Sequence, residues 1–83
     1  MKDVQLSDEF PLIVANAGRL GGKPCIKDTR ISVTMILELL ASGASTERIM
    51  AGWPDLTPDS IRQATMYAAQ RMEAPAVREK SPA

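Results

Sequence analysis

The segment GGKPCIKDTRISV, residues 21–33, decides how this chain is expected to fold. Its two leading glycines permit a sharp reversal, and Pro24 excludes helix and favours an extended conformation in the residue before it. Residues 25–26 follow as a short extended pair. Asp28 tolerates turn geometry, so residues 30–32 are predicted to return as another short extended piece. The segment therefore predicts a small β element that leads into a helix.

The same glycines and lysine raise the alternative of a phosphate-binding loop. Such a loop follows a strand, opens directly into a helix and carries serine or threonine after its lysine. Here Lys23 is followed by Pro24, and the helical pattern begins only at Val33. We therefore interpret the segment as a structural turn. The free edge of so short a strand pair predicts pairing with a second copy of the chain across a two-fold axis.

Three helices are predicted after this segment. An apolar stripe with the spacing i, i+3, i+4 and i+7 marks the first helix and consists of Val33, Ile36, Leu37 and Leu40. Ser32 is placed to cap this helix, and Gly43 ends it. Ser45 can cap a shorter second helix. Thr57, with Pro58 at the first helical position, gives the third helix the clearest start signal.

The predicted fold is mostly α: a small three-helix, helix-turn-helix-like domain with a short N-terminal β element. The apolar run at residues 12–15 supplies a further strand of that element. Residues 12–74 are assigned to the domain, residues 1–11 to an N-terminal arm and residues 75–83 to a flexible tail.

Composition limits the classes of function. The 83 residues include ten basic and ten acidic side chains, so DNA binding would need a local patch rather than an overall positive field. No apolar run approaches the length of a membrane span, and no signal peptide pattern begins the chain, which favours a cytoplasmic protein that does not enter a membrane. A single cysteine and no histidine leave no usual zinc site and no histidine-based catalysis. No cofactor, metal or enzymatic activity is predicted.

Residues 21–69 resemble a bacterial family known as domain of unknown function 433. Its pattern is G-x-P-x-I-x-G-T-R-I-x-V, then a helix, then Y-P-x-L-T at the start of the last helix. The matching positions are Gly22, Pro24, Ile26, Thr29, Arg30, Ile31, Val33, Gly43, Pro54, Leu56 and Thr57. Asp28 stands where the pattern usually has glycine, and Trp53 where it usually has tyrosine.

The resemblance implies a helix-turn-helix-like antitoxin of a toxin–antitoxin pair, encoded beside a PIN-like nuclease toxin. Antitoxins of this kind form homodimers, bind and neutralise the toxin, and repress their own promoter. These properties follow from the resemblance alone, and the residues themselves leave two interpretations open.

The first interpretation is a DNA-binding protein. The outer face of the third helix is expected to carry Asp59, Arg62, Gln63, Met66 and Gln70, opposite an inner face of Ile61, Ala64, Thr65, Ala68 and Met72. Arginine and glutamine can bond bidentately to guanine and adenine. Lys23, Lys27 and Arg30 are the candidates for phosphate contacts, with Arg71 as a further one. The alternative is that these are ordinary solvated side chains.

The second interpretation is a protein-binding module that does not touch DNA, with Phe10, Leu12 and Val77 as apolar anchors for its partner. The residues expected to serve the dimer or the fold itself are Ile26, Arg30, Ile31 and Trp53. For Arg30 the sequence also allows a clamp by Asp28 or Glu38.

Overall fold

The structure, a computed structural model that describes residues 2–73, has a three-stranded antiparallel sheet followed by three helices. The strands are β1 (Val4–Gln5), β2 (Ile13–Ala15) and β3 (Cys25–Ile26), and the helices are α1 (Val33–Ala41), α2 (Thr46–Gly52) and α3 (Pro58–Arg71). One turn of 3₁₀-helix, Leu20–Gly22, lies between β2 and β3. The three predicted helices and the short β element are confirmed.

The sheet has the order β1-β2-β3, so β2 is its central strand. Sequence reasoning placed residues 1–11 in an arm with little structure, yet β1 pairs with β2. Phe10, also in that range, is only 4% exposed. Two residues are too few to show the alternation of a strand. They form one here because the edge of β2 offers backbone hydrogen-bond partners to this segment, as in the bond from the Leu6 N–H to the Ile13 carbonyl.

The turn between β3 and α1 forms as the sequence predicts. Asp28 adopts a left-handed conformation with φ of 65°. The backbone N–H of Ile26 donates to the carbonyl of Ile31 at 2.9 Å, and Ser32 bridges back to Cys25. The extended piece predicted for residues 30–32 is therefore a single bridge rather than a full strand.

All three predicted helix caps are confirmed. The hydroxyls of Ser32, Ser45 and Thr57 each accept a hydrogen bond from a backbone N–H in the first turn of α1, α2 and α3. Ser60 completes a reciprocal capping box with Thr57. These bonds satisfy donors that a helix leaves unpaired and so fix where each helix begins.

The sheet buries its two faces differently. Ile13 and Ile26 lie on the face that packs against the helices and join the main apolar core. Val14 and Cys25 point to the other face and are also buried, at 3% and 0% exposure. Arg19, from the loop after β2, contacts the Cys25 thiol, so this loop covers the second face.

Candidate functional site

The outer face of α3 presents polar and flexible side chains to solvent. Arg62, Met66 and Gln70 are exposed on it, as the sequence predicts, and Met66 is 46% exposed. They face outward because Ile61, Ala64 and Tyr67 occupy the buried stripe of the same helix. This face is therefore the part of α3 that an external ligand can reach.

Gln63 does not belong to that face. It is only 4% exposed, and its side-chain oxygen accepts a hydrogen bond from the backbone N–H of Leu12 at 2.9 Å. Its amide nitrogen donates to Asp59 at 2.8 Å. The prediction of a DNA contact at Gln63 is therefore corrected. The buried stripe of α3 is wider than its apolar residues suggest, because β2 packs beside α3 as well as α1.

Arg62 is already paired on the helix surface. Its guanidinium donates to the carboxylate of Asp59 at 2.6 and 3.1 Å, and both side chains are more than half exposed. The hydrogen bonds from Arg62, followed by the one from Gln63, lower the pKa of the Asp59 carboxyl. An exposed pair of this kind contributes little to stability, so Arg62 can exchange Asp59 for an external anion.

Gln70 contacts the N-terminal part of the chain. Its amide donates to the carboxylate of Glu9 at 2.8 Å, and both side chains lie at the surface. The exposed end of α3 is thus linked to the loop between β1 and β2. Any ligand that uses the Gln70 amide must compete with Glu9.

Three basic side chains surround the β3 turn. Lys23, Lys27 and Arg30 are all exposed. Within residues 2–73 the ion pairs are Arg19–Asp3 and Arg62–Asp59, so none of the three cations forms an ion pair there. Lys27 is nevertheless close enough to Asp3 for its charge to help lower the pKa of that carboxyl. The clamp that the sequence allowed between Arg30 and Asp28 or Glu38 is not formed, which leaves Arg30 available alongside the two lysines.

The predicted partner anchors divide into three cases. Phe10 is buried in the core, where it cannot serve as an exposed anchor. Leu12 is half-buried, with its backbone bonded to Gln63. Val77 lies outside the described residues.

Three of the four residues assigned to the dimer or the fold are buried or half-buried, and the fourth, Arg30, is not. Ile26 and Ile31 are core residues at 2% and 7% exposure. Trp53 is half-buried and packs against the same core. Arg30 is exposed beside them.

An apolar groove of about 270 Å³ between α1 and α3 was not predicted from the sequence. Its walls are formed by Pro24, Val33, Thr34, Leu37, Tyr67, Ala68, Arg71 and Met72. The Arg71 guanidinium lies 5.8 Å from the centre of the Tyr67 ring, a cation–π distance. Met72 was expected on the inner face of the third helix but is 79% exposed, because α3 ends at Arg71.

The four-residue spacing of Tyr67 and Arg71 was the signal in the sequence that could have located this groove. Tyrosine and arginine at that spacing share one side of a helix, at the end where α3 meets α1.

Two features are absent from residues 2–73. No group of three or more histidine, cysteine, aspartate or glutamate side chains there is arranged to hold a metal ion. No helix in the same range is both long and apolar enough to cross a membrane.

Comparison with known proteins gives a family but no described activity. A family model for "Protein of unknown function (DUF433)" matches residues 13–68. The chain is 35% identical over 57 residues to uncharacterized protein y4eO of Sinorhizobium fredii (strain NBRC 101917 / NGR234), an alignment that covers 69% of this chain and 26% of that protein. The chain thus spans about a quarter of the relative's length. No solved structure matches it significantly.

Proposed function

This chain belongs to the DUF433 family, and from that premise we propose that it is an antitoxin that binds and neutralises a PIN-like nuclease toxin. In this proposal the antitoxin is a cytoplasmic homodimer that also represses its own promoter through a helix-turn-helix formed by α2 and α3. The toxin partner comes from the family resemblance, and the DNA-binding role from the surface of α3.

The observation that supports DNA binding is the exposed face of α3. Arg62, Met66 and Gln70 lie along one side of a 14-residue helix that follows a shorter helix and a short connection. In a helix-turn-helix the second helix enters the major groove and its side chains contact base edges. Lys23, Lys27 and Arg30, which form no ion pair within residues 2–73, add positive charge suited to phosphate.

The groove between α1 and α3 supports binding of a protein. Its walls are mostly apolar, and Met72 at its rim is 79% exposed. Methionine adapts its shape to different partners, and tyrosine and arginine are enriched among the residues that contribute most to binding at protein interfaces. A toxin segment with apolar side chains and a carboxylate for Arg71 would match this surface.

A second candidate function is a regulatory module that binds protein or DNA without a toxin. The internal bonds of Arg62 and Gln70 and the net charge of zero favour its protein-binding form. Both side chains would have to give up existing partners before they could contact a base.

Co-expression with the protein encoded beside this chain tests the proposal. A tagged chain should recover a nuclease-like partner in a complex of defined mass, and growth arrest by that partner should be relieved. Recovery of the chain alone, with growth arrest not relieved, would contradict the antitoxin proposal. The second candidate function, a regulatory module without a toxin, would then be preferred.

DNA binding is tested separately by fluorescence anisotropy with the chain's own promoter. Arg62→Ala should weaken binding about tenfold or more, as loss of one bidentate base contact predicts. The control is a duplex of the same length and unrelated sequence, for which Arg62→Ala should change the affinity much less. Equal weakening on both duplexes would indicate non-specific attraction by charge and would remove Arg62 from base recognition.

A further inference from the structure

The outer edge of β1 is an exposed strand edge with apolar side chains. β1 is a terminal strand of the sheet, and within residues 2–73 its pairing is with β2 alone. Val4 is 59% exposed and Leu6, the next residue but one, is 37% exposed. Such an edge is a template for another strand. β1 lies before residues 13–68, the range that the family model matches, so the match to the family does not include this edge.

The hydrogen bonds of this strand fix which residue faces outward. Val4 lies opposite Ala15 and Gln5 opposite Val14, and the N–H of Leu6 donates to the carbonyl of Ile13 at 3.2 Å. In an antiparallel ladder the direction of backbone bonding alternates from residue to residue. Because Leu6 bonds inward to β2, the N–H and C=O of Gln5 point away from the sheet.

We propose that β1 pairs antiparallel with β1 of a second copy of the chain, across a two-fold axis at Gln5. The two Gln5 backbones then exchange both of their outward hydrogen bonds, and the two sheets join into one six-stranded sheet. The inference rests on the homodimer of the proposed function and supplies its interface. It requires neither a toxin nor DNA.

The residues around Gln5 favour this register over its neighbours. With the axis at Gln5, Val4 faces Leu6 of the second copy, so apolar meets apolar. Lys2 then comes next to Asp8 of the second copy, the first residue of the turn closed by the Ser7–Phe10 hydrogen bond, so positive meets negative. The neighbouring registers are those centred on the other residues whose backbone bonds outward. An axis at Asp3 would place Lys2 against Val4 and the two Asp3 side chains against each other, and an axis at Ser7 would place Leu6 against Asp8. The self-complementary pattern identifies a second copy as the occupant of the edge.

Crosslinking by a cysteine at the axis is the direct test. In Gln5→Cys the two introduced cysteines would have Cα atoms about 5.5 Å apart, within the range for a disulfide. The matched control is Asp8→Cys, whose two copies would lie about 20 Å apart, at roughly 3.3 Å per residue over the offset between them. The native Cys25 is fully buried and remains in both variants.

We expect mild oxidation to link most of the Gln5→Cys protein into a dimer and to leave Asp8→Cys largely unlinked. If the wild-type chain sediments as a dimer but Gln5→Cys is not crosslinked, the β1 interface is wrong although the chain is a homodimer. A monomeric wild type would overturn both, whereas the toxin-binding test above is unaffected.

Charge exchange provides an independent test of the register. Lys2→Glu places a new carboxylate opposite Asp8 of the second copy, and Asp8→Lys places a new ammonium group opposite Lys2 of the second copy. Because like charges then face each other, each variant alone should dimerise at least about threefold more weakly at low salt. Mixed together, the two variants form only opposite-charge pairs across the axis and should prefer each other. No preference in the mixture would contradict the register.

Discussion

Replacing Gln63 by alanine should lower the free energy of unfolding far more than the same replacement of an exposed glutamine on α3. The side chain is buried and bonds at once to the Leu12 backbone N–H and to Asp59. Its removal leaves the N–H of Leu12 without that acceptor and opens space between α3 and the start of β2. Loss of a buried hydrogen-bond partner costs about 1–3 kcal/mol. With the lost packing, we expect a total of about 3 kcal/mol.

For a domain of this size about 3 kcal/mol corresponds to a fall of about 12–24 °C in Tm. The matched control is Gln70→Ala, which makes the same chemical change on the same helix but at an exposed position bonded to Glu9. It should shift stability by no more than about 0.5 kcal/mol. Thermal and urea unfolding followed by circular dichroism would measure both. Equal Tm values for the two variants would refute the buried role of Gln63.

A Gln63→Glu variant separates the two hydrogen bonds. Glutamate keeps an acceptor for the Leu12 N–H but loses the donor and brings a second negative charge to Asp59. It should be less stable than wild type at pH 7, and the difference should narrow as the pH falls and the carboxylates are protonated. A difference that does not change with pH would show that the contact with Asp59 has no energetic role.

Further predictions concern the turn, the aromatic residue of the helical part and the surface carboxylates. Asp28→Gly should stabilise the domain by about 0.5–1 kcal/mol in urea unfolding, because glycine adopts φ of 65° without strain, and Asp28→Val should destabilise it. Trp53→Ala should cost about 2 kcal/mol, below the value for a fully buried tryptophan, because Trp53 is half-buried; an unchanged melting curve would contradict its packing. The pKa of Asp59 is lowered by Arg62, and that of Asp3 chiefly by the Asn16 hydrogen bond, opposed by partial burial and aided by Arg19. Their contribution to stability is therefore present above the ordinary carboxyl pKa of 3.8 and is lost as the pH falls through the lowered value. Unfolding measured from pH 6 to pH 2.5 should show a shallower loss in Asp59→Asn than in wild type.

The parts of the fold that sequence reasoning predicted are those decided by neighbouring residues. Ser32, Ser45 and Thr57 cap their helices through bonds that span only three residues, and Asp28 occupies the turn that its type favours. Local chemistry of this kind is visible in a sequence, because the partners of each bond are close along the chain.

The parts that escaped prediction depend on contacts distant in sequence. Gln63 has a polar side chain of the kind usually found at the surface, yet it is buried. It can be buried because the backbone N–H of Leu12, far earlier in the chain, donates a hydrogen bond to its side-chain oxygen. β1 exists because β2 lies beside it. The groove beside Tyr67 needs α1 and α3 side by side. The spacing of Tyr67 and Arg71 places both on one side of α3, but it does not show which helix packs against that side.

The thiol buried on the second face of the sheet can report whether β1 is paired with β2. Cys25 is fully buried beside Arg19, and Arg19 is held by a 2.8 Å ion pair to Asp3, one residue before β1. Detachment of β1 would release this pair and loosen the cover over the thiol. The rate at which a thiol reagent labels Cys25 should therefore follow local opening of the first strand rather than unfolding of the helices. Because Cys25 is the chain's sole cysteine, that rate can be measured without any engineered label.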